Sequence, residues 1–281
     1  MERIKLVAEI GINHNGDMGI IHTLMVEAKE AGFDYVKFQK RNIHVTTPPE
    51  KKQQMKDTPW GRIPYIDYKR RLEDIDYDQI DKWSHEMDIP WFASPWDVDS
   101  VKFLQQYDCP FIKVASALVT DEAVLMAIQK TGILVILSTG MSNENEVKKA
   151  LDILDKSNVE YIMGCTSTYP TPTAEMNMSF LWTLKELYPW SQIGFSNHHP
   201  GILHAATSVI YGAKMIEAHV TLDRSMFGSD QASSIEPEGM HKLRKYVDGI
   251  QEAHGTGQWI TFPSELKVAK SLRWKEYSNE S

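Results

Sequence analysis

Eight short apolar runs, separated by longer amphipathic stretches, recur along the chain, and few folds accommodate that alternation. The runs are KLVAEIGI (5–12), YVKFQK (35–40), WFASPW (91–96), FIKVASA (111–117), LVILSTG (134–140), YIMGCTS (161–167), QIGFSNH (192–198) and MIEAHVTL (215–222). Their hydrophobicity is nearly continuous, as in parallel strands buried on both faces. Between them, stretches such as EAVLMAIQKTG and ENEVKKALDILDKS space apolar residues three and four apart, the helical period. A chain of 281 residues holds one closed barrel, which needs about 250. The pattern therefore predicts an α/β fold, a single-domain (β/α)8 TIM barrel over residues 1–258. A doubly wound open sheet is the alternative, but no G-x-G-x-x-G follows the first run. The polar tail 259–281, with SELKVAKSLRW in helical spacing, is expected to pack across one barrel end.

One connection is unusually long. Residues 41–73 separate the second run from the next helix, and loops above about 15 residues are lids, binding loops or disordered segments. Within it, KKQQMK reads equally well as a solvated charged turn. The net charge of −8 argues against a nucleic-acid or anionic-membrane surface. No run approaches the roughly 20 apolar residues of a membrane helix, and MERIKLVAEIGI lacks a signal-peptide pattern. Two cysteines, Cys109 and Cys165, make no disulfide framework, so a soluble cytoplasmic protein is expected.

Barrel active sites sit at the C-terminal ends of the strands, and polar residues elsewhere on buried strands are costly. Here each strand ends in polar residues: Glu9, then Lys37 and Gln39, Ser94, Lys113 and Ser116, Ser138, Ser167 and Tyr169, Ser196 and His198, and Glu217 and His219. Two lysines within apolar strands require an anion, which a phosphate or carboxylate ligand would supply. The alternative is a Schiff-base lysine of an aldolase, its pKa lowered by desolvation. His198 and His219 fall at comparable depth on adjacent strands. They suit Mn²⁺, Fe²⁺ or Zn²⁺ with open positions, or else form a hydrogen-bonded polar cluster. His199, one residue on, is expected to face elsewhere.

The motifs AEIGINHNG, VKFQK, FIKVASA, ILSTGMS, TYPTP, IGFSNHHPG and IEAHVTLDRSMFGSDQASSIEPE, in order from about residue 3 to 250, resemble the sialic acid synthase family. The resemblance implies condensation of phosphoenolpyruvate with an N-acylated amino sugar to a nonulosonic acid. By motif, it implies His198 and His219 as ligands of a divalent metal, usually Mn²⁺, with Mg²⁺, Fe²⁺ or Zn²⁺ as alternatives. It places Lys37, Lys113, Ser116, Ser138, Ser167 and Ser196 around phosphoenolpyruvate and Glu9 beside the reacting carbons. Gln39, Tyr169 and Asp230 match positions that contact the sugar, and a homodimer is implied. The chain departs from the family where SAL (116–118) replaces SGE, where Ser167 replaces asparagine, and where SNHH replaces SDH. It ends near where the family's C-terminal antifreeze-like domain, with its acyl-binding arginine, would begin. An acceptor other than N-acetylmannosamine, a pyruvate aldolase and a non-catalytic sugar- or phosphate-binding barrel are the rival readings.

Overall fold

The computed structural model describes residues 2–273. The eight apolar runs form eight parallel strands: β1 (Lys5–Gly11), β2 (Tyr35–Lys40), β3 (Trp91–Pro95), β4 (Ile112–Val114), β5 (Val135–Ser138), β6 (Val159–Gly164), β7 (Gln192–Asn197) and β8 (Met215–His219). Each strand pairs with its neighbour in sequence and β8 closes on β1, so the sheet is a closed barrel. The predicted (β/α)8 architecture is therefore what the chain adopts. Closure buries both faces, which is why the strands read as largely apolar runs. The register sets Glu9 opposite both Lys37 and His219, and Glu217 opposite Ser196.

Helices cover the outside. The first, Met18–Glu30, starts where the Asp17 carboxylate accepts from the backbone N–H groups of Gly19 and Ile20, and it buries Ile21, Leu24, Met25 and Ala28 against the strands. Each large side chain buried there stabilises the fold by about 1.5–3 kcal/mol, so Leu24→Ala would cost roughly 2–5 kcal/mol. The fourth strand is shorter than FIKVASA suggests. At Ser116–Leu118 the chain turns into a 3₁₀ helix that buries Leu118 and leaves Ser116 at the barrel mouth.

The long connection is ordered. It holds helices Ile43–Thr46 and Pro49–Lys52, an antiparallel hairpin of Met55–Thr58 with Gly61–Pro64, and helix Tyr65–Glu73. A small second core of Ile12, Tyr68 and Leu72, with Trp60, Ile63, Tyr65 and Phe227 packed against it, ties this excursion to the barrel top. Gly16 makes the approach possible: its φ is +79°, and a Cβ there would run into the carbonyl oxygen of Arg71.

Residues 2–251 form one compact unit, and the described residues from 252 on belong to a second. The second contains helix Pro263–Leu272, and residues 274–281 of the expected tail lie outside the described residues. No described helix is long and apolar enough to cross a membrane.

Candidate active site

A cavity of about 190 Å³ opens at the C-terminal ends of the strands. Of the twelve site residues expected from sequence, Glu9, Lys37, Gln39, Lys113, Ser116, Ser138, Ser167, Tyr169, Ser196, His198 and His219 all line it. The twelfth, Asp230, is not part of its wall. It stands behind His219, with Oδ2 3.8 Å from His219 Nδ1.

The floor of the cavity is ionic. Lys37 Nζ lies 2.5 Å from Glu9 Oε2 and 3.6 Å from Glu217 Oε1, and Lys113 Nζ lies 2.8 Å from Glu217 Oε2. Ser196 Oγ donates to Glu217 Oε1 at 3.1 Å, and Gln39 Nε2 donates to Glu9 Oε1 at 2.9 Å. All four charged side chains are buried. Burial works to raise the Glu217 pKa, but the Lys113 and Lys37 ammoniums outweigh it and hold the carboxyl well below its ordinary range. For Lys37, burial pulls downward while Glu217 and Glu9 overcome it, leaving the ammonium more basic than usual.

The anion that the two lysines required is thus supplied by the protein itself. Glu217 is the hub of the floor; the sequence marks it as a strand-end polar residue but assigns it no role. Its signal is the strand period: Glu217 and His219, two residues apart, face the same side of β8.

A second wall is built from neutral donors at and just beyond the C-terminal ends of β4, β5 and β6. A Cβ on Gly140 would overlap Ser167 Oγ and would sit 2.8 Å from Ser116 Oγ and 2.9 Å from Cys165 Sγ. Bare backbone at this position therefore leaves space ringed by hydroxyls. Ser116 Oγ meets Cys165 Sγ at 3.3 Å, whereas the buried Ser167 Oγ has no hydrogen-bond partner among the described residues. Such unsatisfied donors facing a cavity are suited to phosphate or carboxylate oxygens.

The upper wall carries the imidazoles. His198 Nδ1 lies 2.7 Å from the Thr166 carbonyl oxygen. A carbonyl can only accept, so Nδ1 carries the proton and Nε2 presents its lone pair to the cavity. Tyr169 Oη at 3.2 Å and Ser196 Oγ at 3.4 Å are the neighbours of that nitrogen. Burial, reinforced by the neighbouring His219, pushes the His198 pKa down to about 3, so the ring is neutral.

The two imidazole centroids are 5.5 Å apart, and His219 Nδ1 is buried with no hydrogen-bond partner. An orphaned ring nitrogen beside a second nitrogen whose lone pair meets only hydroxyls fits two of a divalent metal's ligands. Among the described residues no group of three or more His, Cys, Asp or Glu forms a metal cage, so water or substrate would complete the coordination. His199 is not part of the cavity wall; its Nε2 lies 3.0 Å from Thr173 Oγ1, and its ring packs 4.4 Å from His204.

Sequence reasoning also passed over Arg41. Its guanidinium reaches Gln39 Oε1, pairs with Glu73 at 3.3 Å and stacks 4.2 Å over Trp96, which itself lines the cavity.

Residues 24–259 match the NeuB family. The chain is 31% identical to N,N'-diacetyllegionaminic acid synthase of Campylobacter jejuni, over 97% of this chain and 85% of that protein. It is 31% identical to N-acetylneuraminate-9-phosphate synthase of Homo sapiens, over 95% of this chain and 76% of that protein. The crystal structure of the N-acetylneuraminic acid (sialic acid) synthetase of Leptospira borgpetersenii in complex with citrate matches with a TM-score of 0.83 at 28% identity. That match covers 97% of this chain and 93% of that one. With a family match over most of the barrel and synthases this similar along nearly its whole length, the chain is an enzyme that belongs to the NeuB family.

Proposed function

We propose that this enzyme condenses phosphoenolpyruvate with the open-chain form of an aldose to give a nonulosonic keto acid and phosphate. The acceptor class is an N-acylated amino sugar such as N-acetylmannosamine or a related hexosamine. The observation that carries the reading is one cavity joining three parts: a lysine–glutamate floor, the hydroxyls of Ser116, Ser138 and Ser167 beside Gly140, and two imidazoles on the upper wall. The names of the relatives support a sugar acid as product and differ among themselves in which one.

The floor is balanced, with Lys37 and Lys113 set against Glu9 and Glu217. A bound phosphoenolpyruvate therefore brings negative charge that the lysines alone do not offset, and a divalent cation held by His198 and His219 would restore the balance. Bound there, a metal supplies Lewis-acid polarisation of the aldehyde oxygen.

The chain's own groups do the rest. The hydroxyls of Ser116, Ser138 and Ser167 hold phosphate oxygens around Gly140, with Lys113 and Ser196 nearer the carboxylate. Gln39 and Tyr169 orient the sugar over Lys37. The methylene carbon of phosphoenolpyruvate forms a bond to the aldehyde carbon, whose oxygen takes up a proton from solvent water. Water then adds to the electron-poor central carbon and gives its proton to Glu9, which Lys37 and Gln39 hold in place. Breaking of the central C–O bond releases phosphate and leaves the ketone.

A Schiff-base aldolase needs a lysine whose pKa is depressed. Lys37 is shifted the other way by its two carboxylates, which favours the condensing reaction.

The test is phosphate release from phosphoenolpyruvate by protein supplied with Mn²⁺, across a panel of aldoses, with the product identified by mass. Phosphoenolpyruvate labelled with ¹⁸O in the bridging position should send its label to phosphate. Label retained in the keto acid, or release independent of any sugar, would overturn the reading.

A further inference from the structure

The turn after β7 carries two histidines that do not line the cavity. His199 follows the cavity residue His198 directly, and His204 lies in the short helix Leu203–Thr207. Their ring centroids are 4.4 Å apart, with the planes at 70°. Nδ1 of each ring is buried, and neither has a hydrogen-bond partner among the described residues. Buried polar atoms in folded proteins are paired, so two orphaned nitrogens on adjoining rings call for a shared partner.

The turn is built to hold His199 still. The Asn197 side-chain amide donates to the carbonyl oxygens of His199 at 2.9 Å and Gly201 at 3.1 Å. Gly201 has a φ of +105°, a conformation that favours glycine. The second ring nitrogen of His199, Nε2, lies 3.0 Å from Thr173 Oγ1. With the proton on Nε2 and the hydroxyl accepting, the Nδ1 lone pair is left unshared. Metal-bound histidines have this arrangement, their second nitrogen donating to an outer partner that fixes the tautomer. Burial, and then the His199 ring, pull the His204 pKa below the ordinary histidine value, so this ring is neutral at pH 7, the form that binds metal. The spacing also suits an ion: a metal about 2.1 Å from each nitrogen sets two neighbouring imidazole centroids roughly 4.5–5.2 Å apart, within reach of a small rotation of either ring.

We propose that His199 and His204 form a second metal site, separate from His198 and His219, which takes a divalent transition-metal ion through the two Nδ1 atoms and clamps the turn after β7 to the helix that follows. Among the described residues no third His, Cys, Asp or Glu joins the pair, so water completes the coordination. Imidazole ligands suit Zn²⁺, Cu²⁺ and Ni²⁺. The site is independent of the condensing reaction and holds metal whether or not that reaction occurs.

The test is calorimetric titration of the full chain with Zn²⁺. It compares the His198→Ala/His219→Ala protein, which lacks the cavity pair, with the same protein carrying His199→Ala or His204→Ala in addition. The first should bind one equivalent of Zn²⁺, and either addition should weaken that binding at least about tenfold, since loss of an outer-shell partner alone costs that much. Zn²⁺ should also raise the unfolding temperature of the first protein and fail to do so once His204 is replaced. No bound equivalent, or one that either addition leaves unchanged, overturns the site. If circular dichroism shows that His198→Ala/His219→Ala does not fold, the wild type is compared with His204→Ala instead. Loss of one equivalent then supports the site, and an unchanged stoichiometry overturns it.

Discussion

Glutamine in place of Glu217 keeps the shape of the side chain and removes one buried negative charge. Glu217 lies 2.8 Å from Lys113, 3.6 Å from Lys37 and 3.1 Å from the Ser196 hydroxyl. At an effective dielectric near 20, Coulomb attraction is roughly 6 kcal/mol at the first distance and about 5 kcal/mol at the second. Freedom from burying a carboxylate offsets part of this, leaving the roughly 3–5 kcal/mol found when one partner of a buried pair is deleted. In a barrel of this size that loss lowers the unfolding temperature by roughly 10 °C.

The pH dependence has a definite sign. The folded-state pKa of Glu217 is depressed, so its stabilisation is present above the ordinary carboxylate range and is lost as pH falls below it. The Lys37 pKa is raised, so its contribution is present below the ordinary lysine range and is lost as pH rises through the raised value. The penalty of Glu217→Gln should therefore be largest between about pH 5 and 10 and shrink on acidification. Urea unfolding followed by tryptophan fluorescence at several pH values measures it. Adding Lys113→Met, which removes a stranded cation, should recover part of the loss. A Glu217→Gln protein as stable as the wild type near pH 7, or a double variant less stable than the single one, would refute the ionic floor as a stabilising unit.

Other perturbations separate the remaining parts of the site. His219→Ala should abolish turnover and weaken Mn²⁺ binding by more than about 100-fold, the upper end of what outer-shell partners cost; equilibrium dialysis and phosphate release check both. Gly16→Ala places a Cβ against the Arg71 carbonyl at a positive φ, so it should cost on the order of 1–3 kcal/mol and make residues 41–73 more sensitive to limited proteolysis. Burial pushes the Cys109 thiol up to about 12, so titration of the native protein with a thiol reagent near pH 8 should modify Cys165 alone. Phosphoenolpyruvate should slow that modification, since Cys165 borders the Gly140 cradle.

The barrel is legible in the sequence because its signal is local. A strand covered on both faces must be apolar along its length, and a lysine, glutamate or histidine inside such a run declares itself. That is how Lys37, Lys113, His198 and His219 stand out before any coordinates are considered. The limits of each run are less legible: FIKVASA continues past β4, whose pairing ends at Val114, because Ala115, Ser116 and Ala117 line the cavity instead of extending the sheet. The excursion over 41–73 carries too few periodic apolar residues to reveal its folds. Its small core draws on Ile12 and Phe227, which are remote in sequence.

Sequence alone determined which residues reach the cavity, since strand period and strand end dictate depth and side. Tertiary structure decided what they meet there. Glu217 became the partner of Lys113, 104 residues away, Asp230 moved behind His219, and Arg41 came to Gln39 and Trp96 from a connection that is neither strand nor barrel helix. The physical reason is range. Burial and period act within a few residues, whereas ion pairing and charge balance depend on distances that only the closed ring of strands establishes.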